Sequence, residues 1–111
     1  MNQLTASAQR QNDVSVINLA GYLSSESADP LEEAFGQIGD AGKVLLVFQE
    51  KDMISSAGLA LLFDLILPLK EQGKQFRAAQ PSGHFRRVFD IVGLSKDVDV
   101  FESEDQALAG W

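Results

Sequence analysis

Ser55 and Ser56 are the residues whose type and place could do the most chemistry. They stand where Gln49-Glu50-Lys51-Asp52 and Met53-Ile54 hand over to a long apolar run that opens Ala57-Gly58-Leu59. A serine at such a boundary can cap a helix, its hydroxyl accepting from a backbone N–H that has no partner inside the helix. The same place is an anion site, because the free amides and the positive end of the helix dipole favour negative charge. A phosphate esterified to a serine there adds close to two negative charges without melting the helix. Residue types alone leave both readings open, a plain cap or a phosphorylated switch.

Other chemistry does not assemble. His84 is the one histidine; it could serve as a base for Ser55 or Ser56, but it stands just after a helix cap among polar residues. No G-x-S-x-G elbow surrounds either serine, and the helix starts that carry Ser56 and His84 have no sequence-level reason to meet. His84 reads as a surface residue. There is no glycine-rich loop of the GxGxxG or GxxxxGK kind to cradle a nucleotide. Glu32-Glu33 and the group Glu102, Glu104 and Asp105 gather near helix starts, where the dipole favours them, without the spacing of a metal cage. The chain has no cysteine, which removes disulfides, thiolate catalysis and cysteine-based zinc sites. The expectation is a protein with no catalytic residue, no cofactor and no metal.

The elements that must position the two serines follow from patterning. Leu4 to Gln9 and Val14 to Leu19 read as two strands joined by the polar turn Gln11-Asn12-Asp13, the second alternating apolar and polar. Ala20-Gly21 ends that hairpin. Ser27-Ala28-Asp29-Pro30 opens a first helix with Leu31, Ala34, Phe35 and Ile38 on one face, ending near Gly39. Lys43 to Phe48 is a continuous apolar run suited to a mid-sheet strand covered on both faces. The second helix starts near Ser56 and reaches about Gln72, with Gly73 as its stop and Pro68 expected to loosen its last turn. Its apolar residues exceed one stripe, so it is either sandwiched or presents spare apolar surface; the sandwich is preferred. Lys74 to Ala79 is a strand, Pro81 to Val92 a third helix stopping at Gly93-Leu94, Val98 to Phe101 a last strand, and Ser103 caps a final helix. A hairpin followed by alternating strands and helices predicts an α/β fold, a mixed central sheet of about five strands, the later ones largely parallel, packed with about four helices.

With 111 residues, residues 1–111 read as one domain. The 45% hydrophobic and 23% charged content is that of a globular protein with a real core. A formal net charge of -7 argues against nucleic acid and anionic lipid as partners. Met1 to Arg10 is polar, unlike a signal peptide, and no apolar run is long enough to span a bilayer, so no membrane insertion is expected and the cytoplasm is the expected location.

Three blocks carry a family resemblance. Ile54-Ser55-Ser56-Ala57-Gly58-Leu59 resembles the signature of STAS domains of the anti-sigma-factor antagonist family: Asp or Ser, the phosphorylatable Ser or Thr, a small residue, Gly and Leu. Asp13 to Gly21-Tyr22-Leu23 resembles that family's second strand with its G-x-[LI] end. Arg87-Val88-Phe89-Asp90-Ile91-Val92-Gly93-Leu94 resembles the ending of its third helix. The blocks fall in family order and span nearly the whole chain. The resemblance implies a non-enzymatic switch in which Ser56 is phosphorylated by a partner that is both anti-sigma factor and serine kinase. The unphosphorylated form would bind that partner, phosphorylation would release it, and a PP2C-type phosphatase would reset the protein. The implied binding surface takes in Ser24, Ser25, Asp52, Ser55, Ala57, Gly58 and Leu59. Many antagonists have Asp where this chain has Ser24 and Ser55, and Asp52 lies near enough to stand in for one. The segment Gly58-Leu59-Ala60-Leu61-Leu62 with Leu65-Ile66 also resembles the STAS subunit of lipid-trafficking ABC transporters, which implies constitutive docking on an ATPase. Oligomeric state is open between a monomer and a weak dimer through the apolar second helix.

Overall fold

The chain first reverses at Asn12-Asp13, where Asn12 takes a φ of 55°, a left-handed conformation that asparagine tolerates better than most residues. The computed structural model describes residues 4–49, 53–79, 87, 98–109 and 111. The turn joins β1 (Thr5–Gln11) to β2 (Val14–Ala20) in antiparallel register, from Thr5 opposite Ala20 to Gln11 opposite Val14. Gly21, at a φ of 110°, then bends the chain as glycine readily can. It leads into β3 (Tyr22–Leu23), a 3-10 turn over Ser25–Ser27 and α1 (Ala28–Gly36). There follow β4 (Lys43–Val47), β5 (Met53–Ile54), α2 (Ser56–Glu71), β6 (Gln75–Ala79), β7 (Asp99–Phe101) and α3 (Glu104–Leu108).

Among the described residues the main sheet has five strands in the order β1-β2-β4-β6-β7. Within the described residues only the opening hairpin is antiparallel; β2, β4, β6 and β7 all pair in parallel. This is the expected fold class, a mixed sheet with parallel later strands; three α-helices lie among the described residues. The expected mid-sheet strand is β4, where Leu45 and Leu46, on opposite faces, are both 0% exposed. β2 departs from its alternating pattern. Ser15 is 2% exposed, because a strand flanked by β1 and β4 is covered on both faces whatever its sequence alternation.

Each face of the sheet has its own core. Ile17, Leu46 and Phe76 pack with Phe35 of α1 and Leu62 and Ile66 of α2. Val16, Leu45, Val47 and Ala79 pack on the other face with Ala107 of α3. On that second face the Arg77 guanidinium donates to the Ala107 carbonyl at 2.8 Å and lies 5.1 Å from the Phe101 ring centre and 4.7 Å from that of Trp111.

Three local expectations change. α1 ends at Gly36, not near Gly39; Ile38 is still buried, because its N–H donates to the Phe35 carbonyl and carries the chain one turn further. Ser27 makes no side-chain cap for α1; its hydroxyl is engaged with the 22–24 backbone. The sandwich around α2 is one-sided: Leu59, Leu62 and Ile66 are buried, whereas Ala57, Ala60 and Pro68 are exposed and Leu67 is 41% exposed. α2 stops as expected. Gly73 has a φ of 95°, its N–H donates to Lys70, and the Lys74 N–H donates to Leu69, the pattern of a Schellman stop. The expected helix over 81–94 lies outside the described residues apart from Arg87, which is helical and exposed. No helix among the described residues is long and apolar enough to cross a membrane.

Candidate functional site at the start of the second helix

The geometry separates the two serines. Ser55 is extended, with φ -98° and ψ 165°, and its Oγ accepts from the Gly58 N–H at 3.0 Å; the first helical bond, from Leu59 N–H, goes to the Ser55 carbonyl at 2.9 Å. Ser55 is therefore the N-cap, and Ser56 is the first residue of a 16-residue helix. The capping role that both hydroxyls could have filled is taken by one. Around Ser56 the N-terminal amides lack helical partners by geometry, and no acidic residue occupies the first turn. Negative charge placed there meets the positive end of the dipole and no like charge from its own first turn.

A second serine-rich turn is docked against this one. Tyr22 and Leu23 pair in parallel with Met53 and Ile54, and the ladder continues as the Ser55 N–H donates to the Leu23 carbonyl at 2.9 Å. Gly58 lies directly beneath that backbone. A Cβ at Gly58 would stand 2.2 Å from the Leu23 oxygen and 2.7 Å from the Ser24 nitrogen, closer than any side chain can approach. The 22–24 strand end thus packs on the first turn of α2 because residue 58 has no side chain. The turn at 24–27 is held by its own hydroxyls: Ser24 Oγ accepts from Glu26 N–H at 3.3 Å, Ser24 N–H donates to Ser27 Oγ at 2.9 Å, and Ser27 Oγ donates to the Tyr22 carbonyl at 3.2 Å. Leu23 is fully buried beneath it.

The residues singled out by the sequence fall into two groups. Ser24 and Ser55 are half-buried caps and Ala57 is exposed. Gly58 and Leu59 are buried and form the floor of the surface. Asp52 and His84 lie outside the described residues, as do the side chains of Ser25 and Ser56. What sequence reasoning missed is the contact of Gly58 with Leu23 and Ser24, which joins segments more than thirty positions apart. The described residues contain no group of His, Cys, Asp and Glu able to hold a metal.

The model of the STAS domain family matches residues 5–107. The chain belongs to the STAS domain family. This STAS chain is 29% identical, over 83% of its own length and 84% of the relative's, to the anti-sigma-B factor antagonist of Bacillus subtilis. Its fold is similar to the crystal structure of an anti-sigma factor antagonist from Mycobacterium paratuberculosis, with a TM-score of 0.80 at 23% identity over 96% of this chain and 92% of that one. It is also similar to the Bacillus cell fate determinant SpoIIAA in its phosphorylated form, with a TM-score of 0.68 at 17% identity over 94% of this STAS chain and 96% of that chain. The first two of these are named as anti-sigma factor antagonists, the family that the Ser55-Ser56 signature resembles.

Proposed function

We propose that this STAS protein is a cytoplasmic, non-enzymatic partner switch whose single domain spans residues 1–111. Unphosphorylated, it binds and sequesters an anti-sigma factor that is also a serine kinase. That kinase phosphorylates Ser56, the complex dissociates, and a PP2C-type phosphatase restores the binding form. The observation that carries this reading is the division of labour at α2: Ser55 holds the cap, so Ser56 is spared that role and stands where an added phosphate is tolerated by the helix. Release follows from physics. Phosphate at Ser56 puts nearly two charges into a surface that the partner must desolvate, and unpaired buried charge is costly.

Ser24 and Ser55 take the positions at which many antagonists have Asp. Both are N-caps, and Ser and Asp cap about equally well. The turn shape is therefore kept while two negative charges are lost, which fits a partner whose facing surface is less basic. Ala57 and Ser24 lie at the surface of this site, and the buried Gly58 and Leu59 shape it from below.

The test is intact mass of the protein purified from its own cells, with peptide mapping across Lys51 to Lys70, followed by a pull-down with Ser56→Asp. A phosphate on Ser56, and a kinase-like partner recovered by wild type but lost by Ser56→Asp, is the expected outcome. An unmodified Ser56, with an ATPase subunit recovered whatever residue stands at 56, would replace the switch with constitutive docking.

A further inference from the structure

The two edges of the main sheet are protected unequally. β7 is three residues long, carries the exposed Asp99 and is followed at once by the exposed Glu102; shortness and charge are how an edge discourages pairing. β1 is seven residues long, has neither proline nor lysine, and runs in unbroken register with no bulge. Its one charge is occupied: Arg10 Nε donates to the Asn12 carbonyl at 2.6 Å, and its guanidinium also donates to Asp40 Oδ1 at 3.0 Å. A hairpin closed by Asn12-Asp13 makes Gln11 and Val14 a hydrogen-bonded pair. Alternation then directs the main-chain bonds of Thr5, Ser7 and Gln9 to β2 and turns the N–H and C=O groups of Ala6, Ala8 and Arg10 outward. No strand among the described residues meets them there.

We infer that β1 is a self-association edge, pairing antiparallel with β1 of a second copy about a two-fold axis at Ala8. The occupant follows from self-complementarity. In that register Ala8 faces Ala8, Ala6 faces Arg10, Ser7 faces Gln9 and Thr5 faces Gln11, so the strand's one charge never meets its own image. The outward groups of Ala6, Ala8 and Arg10 supply about six main-chain hydrogen bonds across the seam. On one face the half-buried Ala6 and Ala8, which already pack against the core, cover one another's exposed edges; on the other, exposed Ser7 and Gln9 form polar cross-strand pairs. A second copy brings this register by symmetry, with the isologous contact of a closed dimer. Each copy carries a net charge of -7, so the pairing is weak at low ionic strength and strengthens as salt screens the repulsion.

The test is sedimentation velocity on the full chain over a concentration series at low and moderate salt. The expected result is a monomer–dimer equilibrium whose dimer fraction rises with protein and with salt. Ser7→Glu with Gln9→Glu sets like charges opposite one another twice per dimer and should weaken association by about tenfold. Ser7→Lys with Gln9→Glu sets opposite charges in the same places and should restore it. Both positions are exposed, so circular dichroism and denaturation of the two variants should match wild type. A monomer at every concentration overturns the inference, and so does a dimer that ignores both β1 variants and is lost in Leu67→Glu on α2.

Discussion

Two regions of this molecule hold their parts together by opposite means. At the start of α2, the 22–27 and 53–59 segments are joined by small residues: a glycine under a backbone, hydroxyls bridging amides, and a two-residue ladder. At the far face, α3 is fastened by large side chains, with Arg77 bonded to the Ala107 carbonyl between two aromatic rings and the Trp111 Nε1 donating to Gln75 at 2.9 Å. Small residues give the first region a defined backbone, with the close approach at Gly58 and the Ser24, Ser27 and Ser55 hydroxyls committed to holding it. The second region holds its helix through long side chains that are already engaged. The difference lies in what fixes each region: backbone contacts and serine hydroxyls in the first, long side chains in the second.

That contrast can be broken most severely at Gly58. Gly58→Ala puts a methyl into the Leu23 backbone and should cost about 2–4 kcal/mol, read by urea denaturation, because backbone cannot rotate away as a side chain can. A loss under 0.5 kcal/mol would mean that the two segments separate easily. Arg77→Ala should come next, at about 1–2 kcal/mol, from one hydrogen bond and two half-exposed cation–π contacts. Since Trp111 is the sole tryptophan, its fluorescence should shift to the red in that variant, whereas Gly58→Ala should leave it unchanged below the unfolding transition.

Ser55→Ala should cost about 1 kcal/mol and Ser55→Asp almost nothing, the sign of a cap that uses one oxygen. The smallest effect is at the hairpin. The Arg10 guanidinium, by hydrogen bond and then by charge, holds the exposed Asp40 carboxyl below its ordinary value. A carboxyl lowered in the folded state contributes stability above its unfolded pKa and loses it as pH falls through the folded one. Arg10→Gln should return Asp40 toward the ordinary value, seen by NMR titration, with little change in stability at neutral pH because the pair is exposed.

Much of this was legible in the sequence, and the rest was hidden for identifiable reasons. β4 declared itself through Val44 to Phe48, since an unbroken apolar run of that length has few other places to go. The end of α2 was marked by Gly73, and α3 by Ser103, whose Oγ accepts from the Gln106 N–H at 3.2 Å. The choice between Ser55 and Ser56 could not be read, because adjacent serines have equal capping chemistry and only the extended backbone at 55 decides between them. β3 and β5 are two residues each, too short for any periodicity. Ser27 looked like the cap of α1 by position; its hydroxyl instead bridges Ser24 and Tyr22, a pairing visible only once the 21–27 turn is folded. Gly58 was noticed as part of a motif, but its partner is thirty-five positions earlier at Leu23, and no local pattern reports such a contact.

The central claim is that one serine of the pair builds the helix and the other carries the signal. Site-localised phosphopeptide mapping of the protein from its own cells, run on wild type, Ser55→Ala and Ser56→Ala, tests it most directly. Phosphate on Ser56 in wild type and in Ser55→Ala, and none in Ser56→Ala, is the predicted result. Phosphate on Ser55 that persists when Ser56 is replaced would contradict the division of labour and move the switch onto the cap.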